Sequence, residues 1–192
     1  TGLIKKASYA DAQASVENIE YIAERHLDRE QILRLASCSY IQEARNVIIL
    51  GATGAGKTFL ACSLGVAANR NFCAARYLRL PDLLVEIAVV RRDGTYREYM
   101  KQLKKVKLLI LDEPFVGLDP KAAHLLKGMM RQVCGEGGAI FFSTHVLEVA
   151  EKLCDKVAII QGGRLIRSGT MEEVKGDDSL EDVFLELEGE SC

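Results

Sequence analysis

Apolar residues fall along this chain in short unbroken runs. Positions 47–50 (Val-Ile-Ile-Leu), 108–111 (Leu-Leu-Ile-Leu) and 139–142 (Ala-Ile-Phe-Phe) carry no polar residue. Such runs, without polar alternation, predict strands buried on both faces, as in a parallel sheet. Between them the spacing turns helical. Ile32, Leu33, Leu35, Ala36, Tyr40 and Ile41 follow an Asp28/Gln31 capping pair and predict a helix from 28 to about 44. Helices are also predicted over 57–69, from Pro81 to the Asp93-Gly94 break, over 96–105, from Pro120 (capped by Asp119) to the glycines at 135–138, over 145–154 and over 179–187. A strand is predicted over 74–80, and Gly162-Gly163 joins 156–160 to 164–167 as a hairpin. Alternating strands and helices of this kind predict an α/β fold with a parallel sheet between two helical layers. The expected organisation is an N-terminal helical segment (1–44), a core (45–170) and an acidic C-terminal helix and tail (171–192).

Composition sharpens this picture in two places. The net charge of −2 conceals a step: residues 1–107 sum to +6 and residues 108–192 to −8. The six cysteines form no C-x-x-C pair, which favours reduced core thiols and a cytoplasmic protein. The longest apolar stretch, 83–90, is interrupted by Glu86 and is far short of the ~20 residues a membrane span requires.

The candidate chemistry lies where strands meet helices. Gly51-Ala52-Thr53-Gly54-Ala55-Gly56-Lys57-Thr58 fits G-x-x-x-x-G-K-[ST] between a predicted strand and a predicted helix. Glycines there let backbone N–H groups turn inward around phosphates, the helix N-terminus adds positive potential, Lys57 bridges the β- and γ-phosphates, and the Thr58 hydroxyl binds Mg²⁺. Asp112 and Glu113 end the second apolar run. A carboxylate at Asp112 suits Mg²⁺, and Glu113 suits the base that orients and deprotonates water. Ser143-Thr144-His145 ends the third run and reads either as a polar group facing the γ-phosphate or as a helix cap. Locally Asp119 is a helix cap, and His26 and His124 read as surface or helix residues. No N-K-x-D motif occurs, which disfavours a GTPase.

Two family resemblances follow from these residues. From about 14 to 112 the chain resembles IstB/DnaC-like helper ATPases of the AAA+ group, through ILRLASCSYIQEARNVIILGATGAGKTFLACSLG, ARYLRLPDLL and DGTYREYMKQLKKVKLLILDE. From about 108 to 187 it resembles the C-terminal half of ABC transporter ATP-binding subunits, through LLILDEPFVGLDP, GGAIFFSTHVLEVAEKLCDKVAII, GGRLIRSGT and MEEVKGDDSLEDVFLEL. The two meet at LLILDE, where the charge step also falls, so the chain reads as a chimera with a seam near 108–113. The resemblance implies a P-loop NTPase fold with strand order 5-1-4-3-2 and a short C-terminal hairpin and helix. It also implies ATP and Mg²⁺ as cofactors, Asp119 as a D-loop aspartate and His145 as a switch histidine at the γ-phosphate. No LSGGQ-like signature precedes Asp112, and the helper-ATPase stretch stops before any arginine finger.

Partners are read with alternatives open. Arg91, Arg92, Arg97, Lys101, Lys104, Lys105 and Lys107, with Tyr96 and Tyr99 among them, form either a DNA-binding segment or a solvated helix face. The resemblance adds self-association on ATP binding, and a membrane partner only for an ABC-type subunit. The expected function is slow Mg²⁺-dependent ATP hydrolysis. The alternatives are a nucleotide-binding module that scarcely hydrolyses and an ABC-type subunit lacking its signature region.

Overall fold

In the computed structural model, residues 2–11, 13–21, 27, 29–51, 54–115, 118–144, 147–153, 156–161 and 164–189 are described. The chain begins with α1 (Gly2–Ala7), a 3-10 turn (Val16–Asn18), α2 (Arg29–Ala36) and α3 (Ser39–Gln42). There follow β1 (Val47–Leu50), α4 (Lys57–Arg70), β2 (Ala75–Arg79), α5 (Leu80–Arg92), α6 (Tyr96–Leu103) and β3 (Leu108–Asp112). The remainder is α7 (Pro120–Gly135), β4 (Ala139–Thr144), α8 (Leu147–Leu153), β5 (Lys156–Gln161), β6 (Arg164–Thr170), α9 (Met171–Lys175) and α10 (Leu180–Gly189).

The sheet runs β2-β3-β4-β1-β5-β6. Its first five strands pair in parallel, in the order expected from the resemblance, and β6 returns antiparallel to β5. The predicted hairpin is therefore part of the sheet and extends it by one edge strand.

The unbroken apolar runs are explained by burial on both faces. Ile48, Leu50, Leu109, Leu111, Ile140, Phe142, Val157 and Ile159 face a core closed by α5, α6, α7, α8, α9 and α10. Their alternates Val47, Ile49, Leu108, Ile110, Ala139, Phe141, Ala158 and Ile160 face a second core under α4 and the N-terminal segment. Burying one such side chain contributes roughly 1.5–3 kcal/mol, so each four-residue run is anchored from both sides. Helix α4 is itself buried nearly all round, from Leu60 to Asn69. A Cβ at Gly65 would lie 2.5 Å from both Ile110 and the Tyr9 ring, so glycine there lets the N-terminal segment close over the helix. Tyr9 completes that contact with a 2.8 Å hydrogen bond from its hydroxyl to Asn69 Oδ1.

Several expectations change. The helix predicted from 28 to 44 is two helices, broken at Cys38, which takes a left-handed φ of 65°. Ile32 and Ile41 are half a turn out of phase in an unbroken helix, and the break lets both be buried, at 1% and 3% exposure. Asp28, of the predicted capping pair, lies outside the described residues. Of the helix predicted over 145–154 the described part is Leu147–Leu153, with 145, 146 and 154 outside the described residues, and Ser143 and Thr144 belong to β4. Helix α9 was not predicted, although Thr170 and Glu173 form a reciprocal capping box at its start.

Candidate functional site

The carboxyl ends of β1, β3 and β4 lie level, with Leu50 opposite Thr144 and Asp112 opposite Ser143. The loop that leaves β1 begins at Gly51, where any Cβ would run into the Ile160 carbonyl oxygen of the neighbouring β5. Gly54 and Gly56 take left-handed φ angles of 83° and 86°, which side chains other than glycine's resist. Gly56 is also the N-cap of α4, so the first-turn N–H groups of a 14-residue helix open onto this loop. Ala52 and Thr53 lie outside the described residues.

Lys57 is 6% exposed. Its Nζ donates to the Gly51 carbonyl at 2.6 Å and pairs with Glu113 Oε1 at 3.0 Å. Thr58 Oγ1 donates to Asp112 Oδ2 at 2.9 Å. The Tyr77 hydroxyl donates to the same oxygen at 2.8 Å, and Ser143 Oγ donates to Asp112 Oδ1 at 2.5 Å. The backbone N–H of Glu113 donates to Ser143, to its carbonyl at 3.1 Å and its hydroxyl at 3.3 Å. Glu113 itself turns out of the sheet with a left-handed φ of 46°, a conformation that costs a side-chain-bearing residue about 1–3 kcal/mol.

Strand parity explains this convergence. Residues 75 and 77, 108 and 110, and 139 and 141 face α4, and continuing each alternation directs Asp112 and Ser143 to the same side as Tyr77. Burial first, and then the Asp112 carboxylate beside it, push the Tyr77 hydroxyl far above its ordinary range, so it stays a proton donor. Tyr77 was missed at the sequence level. The signal was present only as this parity, combined with knowledge that β2 lies next to β3.

Lys57, Thr58, Asp112 and Glu113 line a cleft of about 490 Å³ that Ala10, Asp11, Gly54, Gly56 and Phe59 complete. Beside it is an apolar hollow of about 290 Å³, bounded by Ile19, Glu20, Leu27, Ala55, Gly56, Phe59, Leu60 and Ile160. Hard oxygen donors at Thr58 and Asp112, next to a glycine-rich backbone cradle and a buried lysine, match what a Mg²⁺-bound polyphosphate requires. Among the described residues no cluster of three His, Cys, Asp or Glu forms an all-protein metal cage.

Other sequence candidates lie apart from this cleft or outside the described residues. Asp119 caps α7, accepting from the N–H groups of Lys121 and Ala122 at 2.8 and 2.9 Å, and does not line the cleft. His145 and His26 lie outside the described residues, and His124 is exposed on α7. Cys38 and Cys62 are buried free thiols. In the basic segment Arg91, Arg92, Arg97, Lys101, Lys105 and Lys107 are exposed, whereas Lys104 pairs with Glu136 at 2.7 Å. Tyr99 is unavailable to a stacked base, because it is 8% exposed and its hydroxyl donates to Glu86 at 2.8 Å. Tyr96 lies under the Arg91 guanidinium, 5.3 Å from its ring centre. Among the described residues no helix is long and apolar enough to cross a membrane.

Known proteins of two kinds resemble this chain. An insertion sequence IS1162 putative ATP-binding protein from Pseudomonas fluorescens is 36% identical over 142 residues, covering 73% of this chain and 62% of the relative. The ABC-type transporter ATP-binding protein EcsA from Bacillus subtilis is 35% identical over 131 residues, covering 59% of this chain and 53% of the relative. The chain thus spans between half and two thirds of these curated relatives. In fold it is similar to AMPPCP-bound DnaA from Aquifex aeolicus, with a TM-score of 0.61 at 20% identity over 75% of this chain and 45% of the other. The sequence pattern of one family runs across nearly everything described above, from residue 3 to residue 178, and the chain belongs to that family, the IstB-like ATP binding proteins.

Proposed function

We propose that the chain binds Mg²⁺-ATP in the cleft beside β1 and hydrolyses it slowly. One observation supports this reading above the others: the Thr58 hydroxyl of the phosphate loop is hydrogen-bonded at 2.9 Å to the strand-end carboxylate of Asp112. That pairing is the donor set a nucleotide-bound Mg²⁺ takes from a P-loop protein. Backbone N–H groups of Gly51, Ala52, Thr53, Gly54, Ala55, Gly56, Lys57 and Thr58 surround the phosphates, and Lys57 moves from Gly51 and Glu113 to the β- and γ-phosphates. Thr58 and Asp112 hold the metal, which supplies neutralisation of phosphate charge when bound. Freed from Lys57, Glu113 orients a water and accepts its proton as the water oxygen bonds to the γ-phosphorus and the bond to the β-phosphate oxygen breaks. Ser143 keeps Asp112 and the Glu113 backbone in register. The apolar hollow beside the loop, with Ile19, Leu27, Phe59, Leu60 and Ile160, accepts the base.

The remaining roles rest on resemblance. His145 faces the γ-phosphate, and Asp119 serves a site completed by a second copy on ATP binding. The exposed basic side chains between Arg91 and Lys107 meet DNA phosphates, and the free thiols fit a cytoplasmic setting. With no LSGGQ-like stretch before Asp112, turnover is slow. The seam near 108–113 joins an IstB-like part to an ABC-like part on one continuous sheet.

A second reading, nucleotide binding with almost no hydrolysis, draws on the 3.0 Å Lys57–Glu113 pair, which holds the proposed base against the phosphate-binding lysine. Both readings require binding. Excess Mg²⁺-ATP, at about a hundred times its Kd, stabilises the fold by about 2.7 kcal/mol and raises its unfolding midpoint by roughly 5–10 °C. Lys57→Ala should remove that rise. A wild-type protein whose midpoint ATP leaves unmoved contradicts both readings.

A further inference from the structure

Three hydroxyls converge on the Asp112 carboxylate, and the phosphate motifs account for only one, that of Thr58. Ser143 has a second task, accepting from the Glu113 N–H. Among the described residues Tyr77 has no second one: its hydroxyl donates at 2.8 Å to Asp112 Oδ2. The residue is 3% exposed, and its ring lies in the α4-side core 6.4 Å from that of Tyr9. Phenylalanine would fill that space without the cost of burying a polar group, which is offset here only by the bond to Asp112. The bond is also not a product of strand pairing. Tyr77 lies opposite Ile110 in the register, so its long side chain reaches diagonally, two residues along β3, to meet Asp112.

We propose that Tyr77 is a positioning residue for the metal: it locks the rotamer of Asp112 so that the carboxylate presents one defined acceptor site to Mg²⁺. A carboxylate has about four acceptor sites. Thr58, Tyr77 and Ser143 occupy three of them. Asp112 lines the cleft, so a carboxylate held from both sides has little freedom left in how it meets a cation there. The two flanking hydroxyls come from different strands, Tyr77 from β2 and Ser143 from β4. The metal site therefore depends on both. Outer groups that orient a metal ligand typically change metal affinity by about 10–100-fold when removed.

This inference rests on the Mg²⁺-ATP reading, and its test separates the two. A fluorescent ATP analogue is bound to the full chain while MgCl₂ is varied, for wild type, Tyr77→Phe and Tyr77→Leu. In Tyr77→Phe the Mg²⁺ concentration for half-maximal binding should rise about tenfold, with binding in EDTA and the ligand-free unfolding midpoint close to wild type. A purely structural Tyr77 would leave the Mg²⁺ dependence of Tyr77→Phe unchanged while Tyr77→Leu lost stability, and that result overturns the proposal. Wild-type binding that Mg²⁺ does not strengthen overturns the Mg²⁺-ATP reading and this inference with it.

Discussion

Ser143 at the end of β4 lies directly opposite Asp112 at the end of β3, and its hydroxyl donates to the Asp112 carboxylate at 2.5 Å. The pair joins the acid that ends β3 to a hydroxyl on the neighbouring strand β4. Through the Glu113 N–H, which Ser143 also receives, both acids of the β3 terminus are referred to one side chain.

Ser143→Ala should therefore cost stability although it removes one oxygen. Ser143 is fully buried, and the carboxylate and N–H it served would each lose a partner. Asp112 keeps the Thr58 and Tyr77 hydroxyls and the Glu113 N–H keeps the Ser143 carbonyl, so the cost is that of one hydrogen bond to a charged group, about 1.5–3 kcal/mol. Urea unfolding should show a lowered midpoint with an unchanged slope. A midpoint equal to wild type would show that the two acids are positioned without it.

Alkaline pH should unfold the chain earlier than its charge balance suggests. Burial, as the largest cause, raises the hydroxyls of Tyr9, Tyr40, Tyr77 and Tyr99 far above the ordinary tyrosine range. The unfolded chain releases these protons near pH 10 while the folded chain retains them, so rising pH favours unfolding. Stability owed to these groups is intact below about pH 9 and falls above about pH 10, by no more than about 1.4 kcal/mol per pH unit for each. Tyr40 adds a separate effect. Among the described residues its buried hydroxyl has no hydrogen-bond partner, so Tyr40→Phe should stabilise the fold at neutral pH by about 1 kcal/mol and blunt the alkaline loss. Urea midpoints between pH 8 and 11 check both.

Binding of the basic segment to DNA, if phosphate contacts carry it, should weaken more than about tenfold between roughly 50 and 200 mM salt. Charge reversal at the exposed Arg97, Lys101 and Lys105 should reduce both the affinity and the salt slope, read by fluorescence anisotropy. Salt-independent binding, or none, would leave the segment a solvated helix face.

Much of this architecture was legible because its signals are local. The run Val47–Leu50, the glycines behind it and the acids ending β3 identify themselves by residue type and spacing, and the parallel sheet follows from strands without polar alternation. What escaped depends on contacts between distant residues. Nothing near Cys38 announces the left-handed break between α2 and α3; it exists because Ile32 and Ile41 must both reach the core. Tyr77 looks like any strand aromatic until β2 is placed beside β3. The small Gly65, which lets Tyr9 pack on α4, resembles an unfavourable helix residue in isolation. Helix α9 was legible but overlooked, since Thr170 and Glu173 hold capping-box spacing. Tyr99 misled in the other direction: a basic neighbourhood suggested a base-stacking ring, whereas its own helix turns it into the core toward Glu86.

The central claim is that Glu113 is the base of a slow ATPase. ATP turnover in saturating Mg²⁺-ATP, for wild type and Glu113→Gln with nucleotide affinity measured in parallel, tests it most directly. The account predicts slow wild-type turnover, a loss of at least about a hundredfold in Glu113→Gln, and ATP affinity retained. Turnover in Glu113→Gln equal to that of the wild type would contradict it.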